Sequence, residues 1–215
     1  MMLRSLAVAA TALFSVTAAQ AQTTIYDTSS LMGTALASPD FFSTSVTNST
    51  AFTSGVLSFD IVGSGSLDGN NGYIDIFTLA VNGTNILSGT FNMSGGGTSE
   101  LFTAPSGATF QTTAYTPSTT SACTIDTANY CGGITHITVP IALLTNTTNK
   151  LTFSYDSPTS FNGSPTAGSQ DISDESWRIG ALSVSAVPEP ETYAMLLAGL
   201  GLLGTLKRRK QSGAS

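Results

Sequence analysis

The chain has few charged residues, and those of positive sign are the scarcest. Only 9% of its 215 residues are charged, and just seven are Lys or Arg. Five of these seven lie near the two ends, so residues 22–187 hold eleven acidic side chains against two basic ones. Such an acidic surface repels phosphate backbones, which argues against nucleic-acid binding. Divalent cations are the charged partners that it favours.

Groups for hydrolytic catalysis are also few, since His136 is the single histidine. It stands at a polar position of a predicted strand, and no G-x-S-x-G segment occurs in the chain. A Ser-His-Asp set stays open at this stage, because its members meet in space rather than in sequence. Asp174 and Glu175 are adjacent, so on a regular strand they would point to opposite faces, unlike the paired acids of a glycosidase. The sequence therefore predicts a protein that is not an enzyme.

Long apolar runs occur only near the two ends. Arg4, the apolar run 6–16 and Ala19-Gln20-Ala21 have the charged start, short apolar middle and small-residue cleavage site of a secretory signal. As a helix this run is too short to cross about 30 Å of hydrocarbon. We therefore predict a signal peptide over residues 1–21 and a mature chain that begins at Gln22.

The chain has only two cysteines, Cys123 and Cys131, in a stretch rich in Gly, Ser and Thr. They lack the Cys-x-x-Cys spacing of a redox pair and have no cluster of metal ligands near them in sequence. In an exported chain a disulfide between them is the expected state. Closing so short a loop would contribute roughly 2.5 kcal/mol, which fixes one loop rather than the whole domain.

Residues 22–187 show no convincing 3.6-residue apolar period and instead alternate with period two, which predicts strands. Three segments carry this pattern, and their apolar faces are formed by Leu57, Phe59 and Ile61; Ile137, Val139 and Ile141; and Leu151, Phe153 and Tyr155. A fourth segment, 73–81, is apolar on both faces, with Phe77, Leu79 and Val81 on one side and Ile74 and Ile76 on the other, as expected for a central strand. The length suits one domain, and an all-β sandwich with jelly-roll-like topology fits best. An elongated β-solenoid would need a fixed-period repeat, which we do not find.

Turn signals set the expected strand boundaries. Asn82-Gly83 predicts a type I′ hairpin between a strand at 73–81 and another at 84–91. The Asn-Thr-Thr-Asn turn at 146–149 predicts a second hairpin, and 109–115 is the best strand in the weakly patterned stretch before it. The apolar face of the last strand changes phase near Gly180, which predicts a β-bulge there.

Two acidic segments are candidates for binding calcium, the only cofactor that the sequence suggests. Asp171, Asp174 and Glu175 form a predicted acidic loop that offers oxygen ligands. The Gly-rich segment from Asp68 to Asp75 is a weaker candidate, because Leu79 stands where an EF-hand has its bidentate Glu. For this second segment a solvated turn is the favoured interpretation.

The C-terminal segment has three parts in a fixed order. Pro188-Glu189-Pro190 cannot be helix or central strand, so this hinge stays extended and accessible to an enzyme. The apolar run 193–206 would span about 21 Å as a helix, a little short of the bilayer core, and local thinning can cover the gap. A basic cluster then acts as a stop on the cytoplasmic side: Lys207, Arg208, Arg209 and Lys210.

These residues resemble the PEP-CTERM family of sorting signals, whose defining Pro-Glu-Pro matches Pro188, Glu189 and Pro190. The resemblance covers only about the last two dozen residues. It implies recognition by exosortase, a membrane-embedded cysteine enzyme that cleaves near the motif and passes the protein from the inner membrane to the envelope, surface or exterior. The expected organisation is a signal peptide at 1–21, a β-sandwich at 22–187, a sorting signal at 188–210 and a tail at 211–215.

The residues and the resemblance together predict an exported cell-surface or extracellular-matrix protein, structural in role and connected with exopolysaccharide or biofilm. Its expected partners are exosortase, the inner membrane in passing, and exopolysaccharide. The alternative is a carbohydrate-binding β-sandwich in which Trp177 and several Tyr side chains would stack on sugar rings. Solvent-facing aromatic residues in one groove would favour that alternative, and carboxylates that converge in a cleft would favour hydrolysis.

Overall fold

The computed structural model describes residues 22–28, 30, 32–114, 132–157, 160–161, 164–165, 175–188, 195 and 198–200. Several predicted features lie outside these residues: the signal peptide at 1–21, Cys123, Cys131, Asp171, Asp174, Glu189, Pro190 and the cluster from Lys207 to Lys210. Of the predicted transmembrane helix, residues 195 and 198–200 are described and are helical. Across the described part of the chain, no helix has both the length and the apolar character needed to cross a membrane.

Most of the described residues lie in strands, as period-two alternation predicts. In chain order the strands are β1 (Thr23–Asp27), β2 (Met32–Ala37), β3 (Asp40–Asn48), β4 (Ser54–Gly63), β5 (Ile76–Val81), β6 (Thr84–Thr90), β7 (Glu100–Thr103), β8 (Thr109–Ala114), β9 (Gly133–Ala142), β10 (Thr147–Asp156), β11 (Ser160–Phe161), β12 (Ser164–Pro165) and β13 (Ser176–Val187). The prediction of an all-β domain is confirmed.

Two antiparallel sheets contain all the longer strands. The first sheet has the order β1-β13-β4-β9-β8, and β2 also pairs with β13. The second sheet has the order β3-β10-β5-β6-β7, while β11 and β12 pair only with each other. The chain crosses repeatedly between the sheets, because β4, β9 and β13 belong to the first sheet and β3, β5 and β10 to the second.

The two sheets pack through one apolar core. The apolar residues of the three alternating segments are buried, as are Phe77, Leu79 and Val81, each 6% exposed or less, whereas Ile76 on the other face of β5 is only partly buried. Phe59 of the first sheet contacts two rings of the second, with centroids 5.9 Å from Phe77 and 5.0 Å from Phe153. Edge-to-face and tilted pairs of this kind add to the burial of the rings themselves. The alternating residues on the outer faces remain polar, as at Ser58 and Asp60.

One predicted hairpin is confirmed and the other is wrong. Asn82 and Gly83 have φ angles of 51° and 82°, and they connect the paired strands β5 and β6. By contrast, β9 pairs with β4 and β8, whereas β10 pairs with β3 and β5. The turn after β9 carries the chain across the core, with Leu143 buried and its N–H donating to the Thr53 carbonyl at 2.7 Å. Alternation shows which face of a strand is buried but not which strand lies beside it.

The boundary predicted for β5 is also wrong at its start. Tyr73 is 48% exposed and its N–H donates to the Asn71 side chain at 2.6 Å, so this residue belongs to a turn. The strand begins at Ile76, three residues later than the apolar pattern suggested. An Asx turn competes with the sheet for the backbone at this point.

The predicted bulge in the last strand is confirmed. The register between β13 and β4 shifts between Gly180 and Ser183, and Ala181 in this interval has a φ of 44°. An extra residue here turns the side chains that follow by one position, so Ile179 and Leu182 both face the core.

Candidate functional sites

Three buried carboxylates meet at one end of the sandwich. Asp68 lies in the connection between β4 and β5, Asp75 directly precedes β5, and Glu175 directly precedes β13. One carboxylate oxygen of each lies within 4.8 Å of those of the other two. The side chains are 8%, 0% and 3% exposed, so all three acids are removed from water. We call this group the acidic cluster.

Backbone hydrogen bonds hold the two aspartates of the cluster together. The Asp68 N–H donates to Asp75 Oδ2 at 2.7 Å, and the Asp75 N–H donates to the Asp68 carbonyl at 3.2 Å. Asn71 Nδ2 donates to Asp68 Oδ1 at 2.6 Å, and the Thr90 hydroxyl donates to the Asp68 carbonyl at 2.9 Å. These contacts fix the loop, so the positions of its carboxylates follow from its backbone.

Ser157, the residue after β10, connects Asp75 with Glu175. Its hydroxyl donates to Asp75 Oδ1 and lies 3.1 Å from Glu175 Oε2. The Ser38 hydroxyl contacts Ser157 in turn, and the Ser38 N–H donates to the Glu175 carbonyl at 3.1 Å. The ends of strands from both sheets therefore meet at the acidic cluster.

Burial raises the pKa values of two acids in the cluster. Loss of hydration is the main cause for Asp75, whose pKa rises from 3.8 to about 6 although hydrogen bonds from Ser157 and Asp68 oppose the change. Loss of hydration and then the charge of Asp75 raise the pKa of Glu175 from 4.5 to about 8. At neutral pH the metal-free cluster therefore retains a proton on Glu175.

Tyr155 places a phenol beside the cluster. Its side chain is 2% exposed, and the hydroxyl has no hydrogen-bond partner in the described part of the chain. The ring packs 5.4 Å from both Phe77 and Trp177, which lie two residues after Asp75 and Glu175 respectively. Burial and then the charge of Asp75 raise the pKa of Tyr155 well above its ordinary value.

The structure joins the two segments that the sequence offered as separate calcium candidates. Glu175 comes from the predicted acidic loop, whereas its companions Asp68 and Asp75 come from the Gly-rich segment. The solvated-turn interpretation of that segment is wrong for these two carboxylates, because both are buried. Asp171 and Asp174 lie outside the described residues, so their part in the site stays a prediction.

A second polar group lies on the outer face of the first sheet. His136 Nδ1 is 2.7 Å from Asp60 Oδ1, and its Nε2 is 3.1 Å from the Ser58 hydroxyl. These are the contacts of a Ser-His-Asp set, formed because His136 and Asp60 are opposite each other on β9 and β4. The imidazole is 53% exposed. β4 is flanked by β9 and β13, so the backbone N–H groups around Ser58 lie within the sheet.

Trp177, the main aromatic residue proposed to stack on sugars, is in the core. Trp177 is fully buried, and its Nε1–H donates to the Ala37 carbonyl at 3.1 Å. One groove of about 340 Å³ lies on the second sheet. It is lined by Ile76, Thr78, Asn85, Leu87, Ser88 and Thr103. This lining has hydroxyl and amide groups but no aromatic ring.

The end of the last strand coincides with a match to a known family. Residues 186–211 match the model of the PEP-CTERM protein-sorting motif. The chain carries a PEP-CTERM sorting signal. Such a PEP-CTERM signal indicates export across the inner membrane to the cell envelope or surface, and it implies processing by exosortase, a membrane protein. Ala186 and Val187 belong both to the PEP-CTERM match and to β13, and Pro188 is buried directly after the strand.

Other comparisons add little to the PEP-CTERM assignment. No curated protein matches the chain. Among solved structures, the chain is similar to dimeric latent PorU from Porphyromonas gingivalis, with 12% sequence identity and a TM-score of 0.40. The similarity covers 79% of this chain and 13% of that chain, so it concerns a small part of the longer protein.

Proposed function

We propose that the chain is a non-enzymatic structural protein of the cell surface or extracellular matrix, delivered through exosortase processing and connected with exopolysaccharide or biofilm. The observation that supports it most is the position of the sorting signal. The signal begins where β13 ends, and β13 pairs with β1, β2 and β4 of the first sheet. A cut near the Pro188-Glu189-Pro190 hinge would therefore release the whole sandwich without removing any strand.

The composition suits a protein that works in a hydrated polymer. Charged residues make up only 9% of the chain, and the outer strand faces carry hydroxyl groups, as where Ser43 contacts Thr152 at 3.0 Å. Hydroxyl and amide groups bind water and sugar hydroxyls without the salt dependence of ion pairs. We infer that the exposed faces associate with polysaccharide rather than with charged macromolecules.

Neither polar group favours catalysis. The Ser58 hydroxyl lies on a sheet face whose N–H groups are used between strands, so they are not directed at an oxyanion. The carboxylates of the acidic cluster are buried, so a sugar ring has no access to them. Both arguments support a protein that is not an enzyme.

Replacing Pro188, Glu189 and Pro190 together by Ala tests the sorting step. Export and folding should continue, because the core lies in residues that this change leaves intact, but full-length protein should accumulate in the inner membrane. Mass spectrometry of wild-type protein released from the surface should find chains that end near the Pro188-Glu189-Pro190 hinge and lack Lys207 to Lys210. Glu191→Ala, which leaves the Pro-Glu-Pro intact, is the matched control and should be released normally.

Two results would contradict this function. Surface protein that still carries Lys207 to Lys210 would show that the tail is only an anchor. Released protein that does not co-sediment with the exopolysaccharide of the same cells would remove the connection with the matrix while leaving the sorting step intact.

A carbohydrate-binding module is the second candidate, and the groove on the second sheet is the observation that favours it. Its hydroxyl and amide groups could hydrogen-bond a sugar, and jelly-roll sandwiches are known lectin scaffolds. The strand orders β1-β13-β4-β9 and β3-β10-β5-β6 support the assignment of that topology. A glycan array should give a defined signal that Asn85→Ala abolishes. No binding to any glycan would leave the structural role alone.

A further inference from the structure

We propose that Asp68, Asp75 and Glu175 form a Ca²⁺ site that joins the two sheets at one end of the sandwich. Ca²⁺ binds carboxylate oxygens at roughly 2.3–2.6 Å, so two oxygens on one ion lie at most about 5 Å apart. The three carboxylates, with ligand atoms all within 4.8 Å of one another, satisfy this limit together. This site is independent of the sorting signal and of the proposed role in the matrix.

The site would tie together strands from both sheets. Asp75 leads into β5 of the second sheet, and Glu175 leads into β13 of the first. The Asp68 loop is held against the segment after β6, where Leu67 exchanges backbone hydrogen bonds with Met93 at 3.0 and 2.9 Å. An ion bound here would therefore oppose separation of the sheets at this end.

Ser157 has too few protons to hydrogen-bond both of the acids beside it, which favours a cation between them. A serine hydroxyl carries one proton, and this one faces both Asp75 Oδ1 and Glu175 Oε2. That proton satisfies one of the two oxygens when both acids are ionised. The other oxygen then lies against the same hydroxyl with no second proton to accept from it, and a cation between the two carboxylates would meet that need.

Tyr155 gives independent support for a ligand. A buried phenol without a hydrogen-bond partner is uncommon, because it loses its contacts with water and gains nothing in return. Tyr155 and Ser157 are two residues apart and so point to the same face, and the Tyr155 ring packs against Phe77 and Trp177, which follow Asp75 and Glu175 by two residues. The hydroxyl therefore lies on the side of the core that holds the cluster, where the charge of Asp75 acts on it. A bound ion with its coordinated water would supply the contact that the hydroxyl lacks.

The ligand chemistry selects Ca²⁺ among common metals. The cluster offers carboxylate and hydroxyl oxygens with no histidine or cysteine in the group, which does not suit zinc. Mg²⁺ requires near-ideal octahedral geometry and keeps several waters, whereas three carboxylates this close together would replace most of them. Ca²⁺ accepts irregular oxygen ligands, and it is the hard cation that this arrangement fits.

Terbium luminescence tests the site directly, because Tb³⁺ replaces Ca²⁺ and the single tryptophan, Trp177, lies beside it. Excitation of Trp177 in the full chain, held in mild detergent, should give Tb³⁺ emission that Ca²⁺ displaces and Mg²⁺ does not. Saturating Ca²⁺, about 100-fold above its Kd, should also raise the Tm by roughly 5–10 °C relative to chelator. Glu175→Gln should abolish both responses.

Glu175→Gln should fold, since a neutral glutamine resembles the protonated acid that burial favours. In chelator its Tm should equal or exceed that of the wild type, which separates lost binding from lost folding. Asp156→Asn removes an exposed acid next to Ser157 and should keep both responses. The proposal is overturned if wild type shows neither response, if Glu175→Gln retains them, or if Mg²⁺ acts as well as Ca²⁺.

Discussion

Phe59 is a residue whose truncation should damage the sandwich severely, because it connects the two sheets. It extends from β4 of the first sheet and is fully buried between Phe77 and Phe153 of the second. Removing a ring that buries roughly 150–200 Å² at about 25 cal/mol per Å² costs about 4 kcal/mol. Measured Phe→Ala changes in cores span about 3–5 kcal/mol, which includes the cavity left behind. We therefore expect Phe59→Ala to lose about 4 kcal/mol.

Urea unfolding followed by Trp177 fluorescence would measure this loss, because Trp177 is in the same core. The matched control is Phe41→Ala on β3, which makes the same chemical change at a side chain that is 62% exposed. We expect the control to lose about 1 kcal/mol or less. Equal losses in the two variants would refute the conclusion that Phe59 fills a core shared by both sheets.

Three further predictions concern the bulge, the acidic cluster and the cysteines. Ala181→Gly should stabilise the protein by about 0.5 kcal/mol in urea unfolding, since a φ of 44° costs alanine about 1–2 kcal/mol and glycine gives back part of this as unfolded-state entropy. The control Ala80→Gly changes an alanine of β5 that does not have a positive φ, and it should destabilise the protein instead. In chelator the folded protein holds more protons than the unfolded chain, because the pKa values of Asp75 and Glu175 are raised to about 6 and about 8. Its stability should therefore be greatest in acid and fall as the pH rises from about 4 to about 8, a fall that urea titrations should find reduced in Glu175→Gln. Labelling of denatured, unreduced protein should find no free thiol if Cys123 and Cys131 form a disulfide, whereas two reactive thiols per chain would contradict it.

Much of the fold could be predicted from the sequence because period-two alternation reports burial directly. Alternation identified core residues of β4, β9 and β10, an apolar run identified those of β5, and the Asn82-Gly83 turn also fixed a strand pairing. The phase change near Gly180 located the bulge, since a strand can keep both apolar sets inward only by gaining a residue. These are local properties, and the residues that determine them are adjacent in the chain.

The strands near the N-terminus show where local patterns were insufficient. β2 (Met32–Ala37) combines Gly33 at a φ of 74° with half-buried small residues, so it has little alternation to detect. Its place is set by β13, where Leu36 is opposite Trp177. Because β13 is far from β2 in sequence, the residues around β2 alone do not indicate this pairing.

To predict the acidic cluster from the sequence, one must know at which end of the sandwich each loop lies. Successive antiparallel strands reverse direction, so two connections separated by an even number of full strands lie at the same end. Six strands, β5 to β10, separate the connection that holds Asp68 and Asp75 from the one that ends at Glu175. Counting them would have placed the two acidic segments together. The number of strands is even only if β7 (Glu100–Thr103), a four-residue strand in the weakly patterned stretch, is included. Without β7 the number is odd, which would place the two acidic segments at opposite ends of the sandwich. The sequence therefore supplied the ligands of the site, whereas one short strand decided whether they meet.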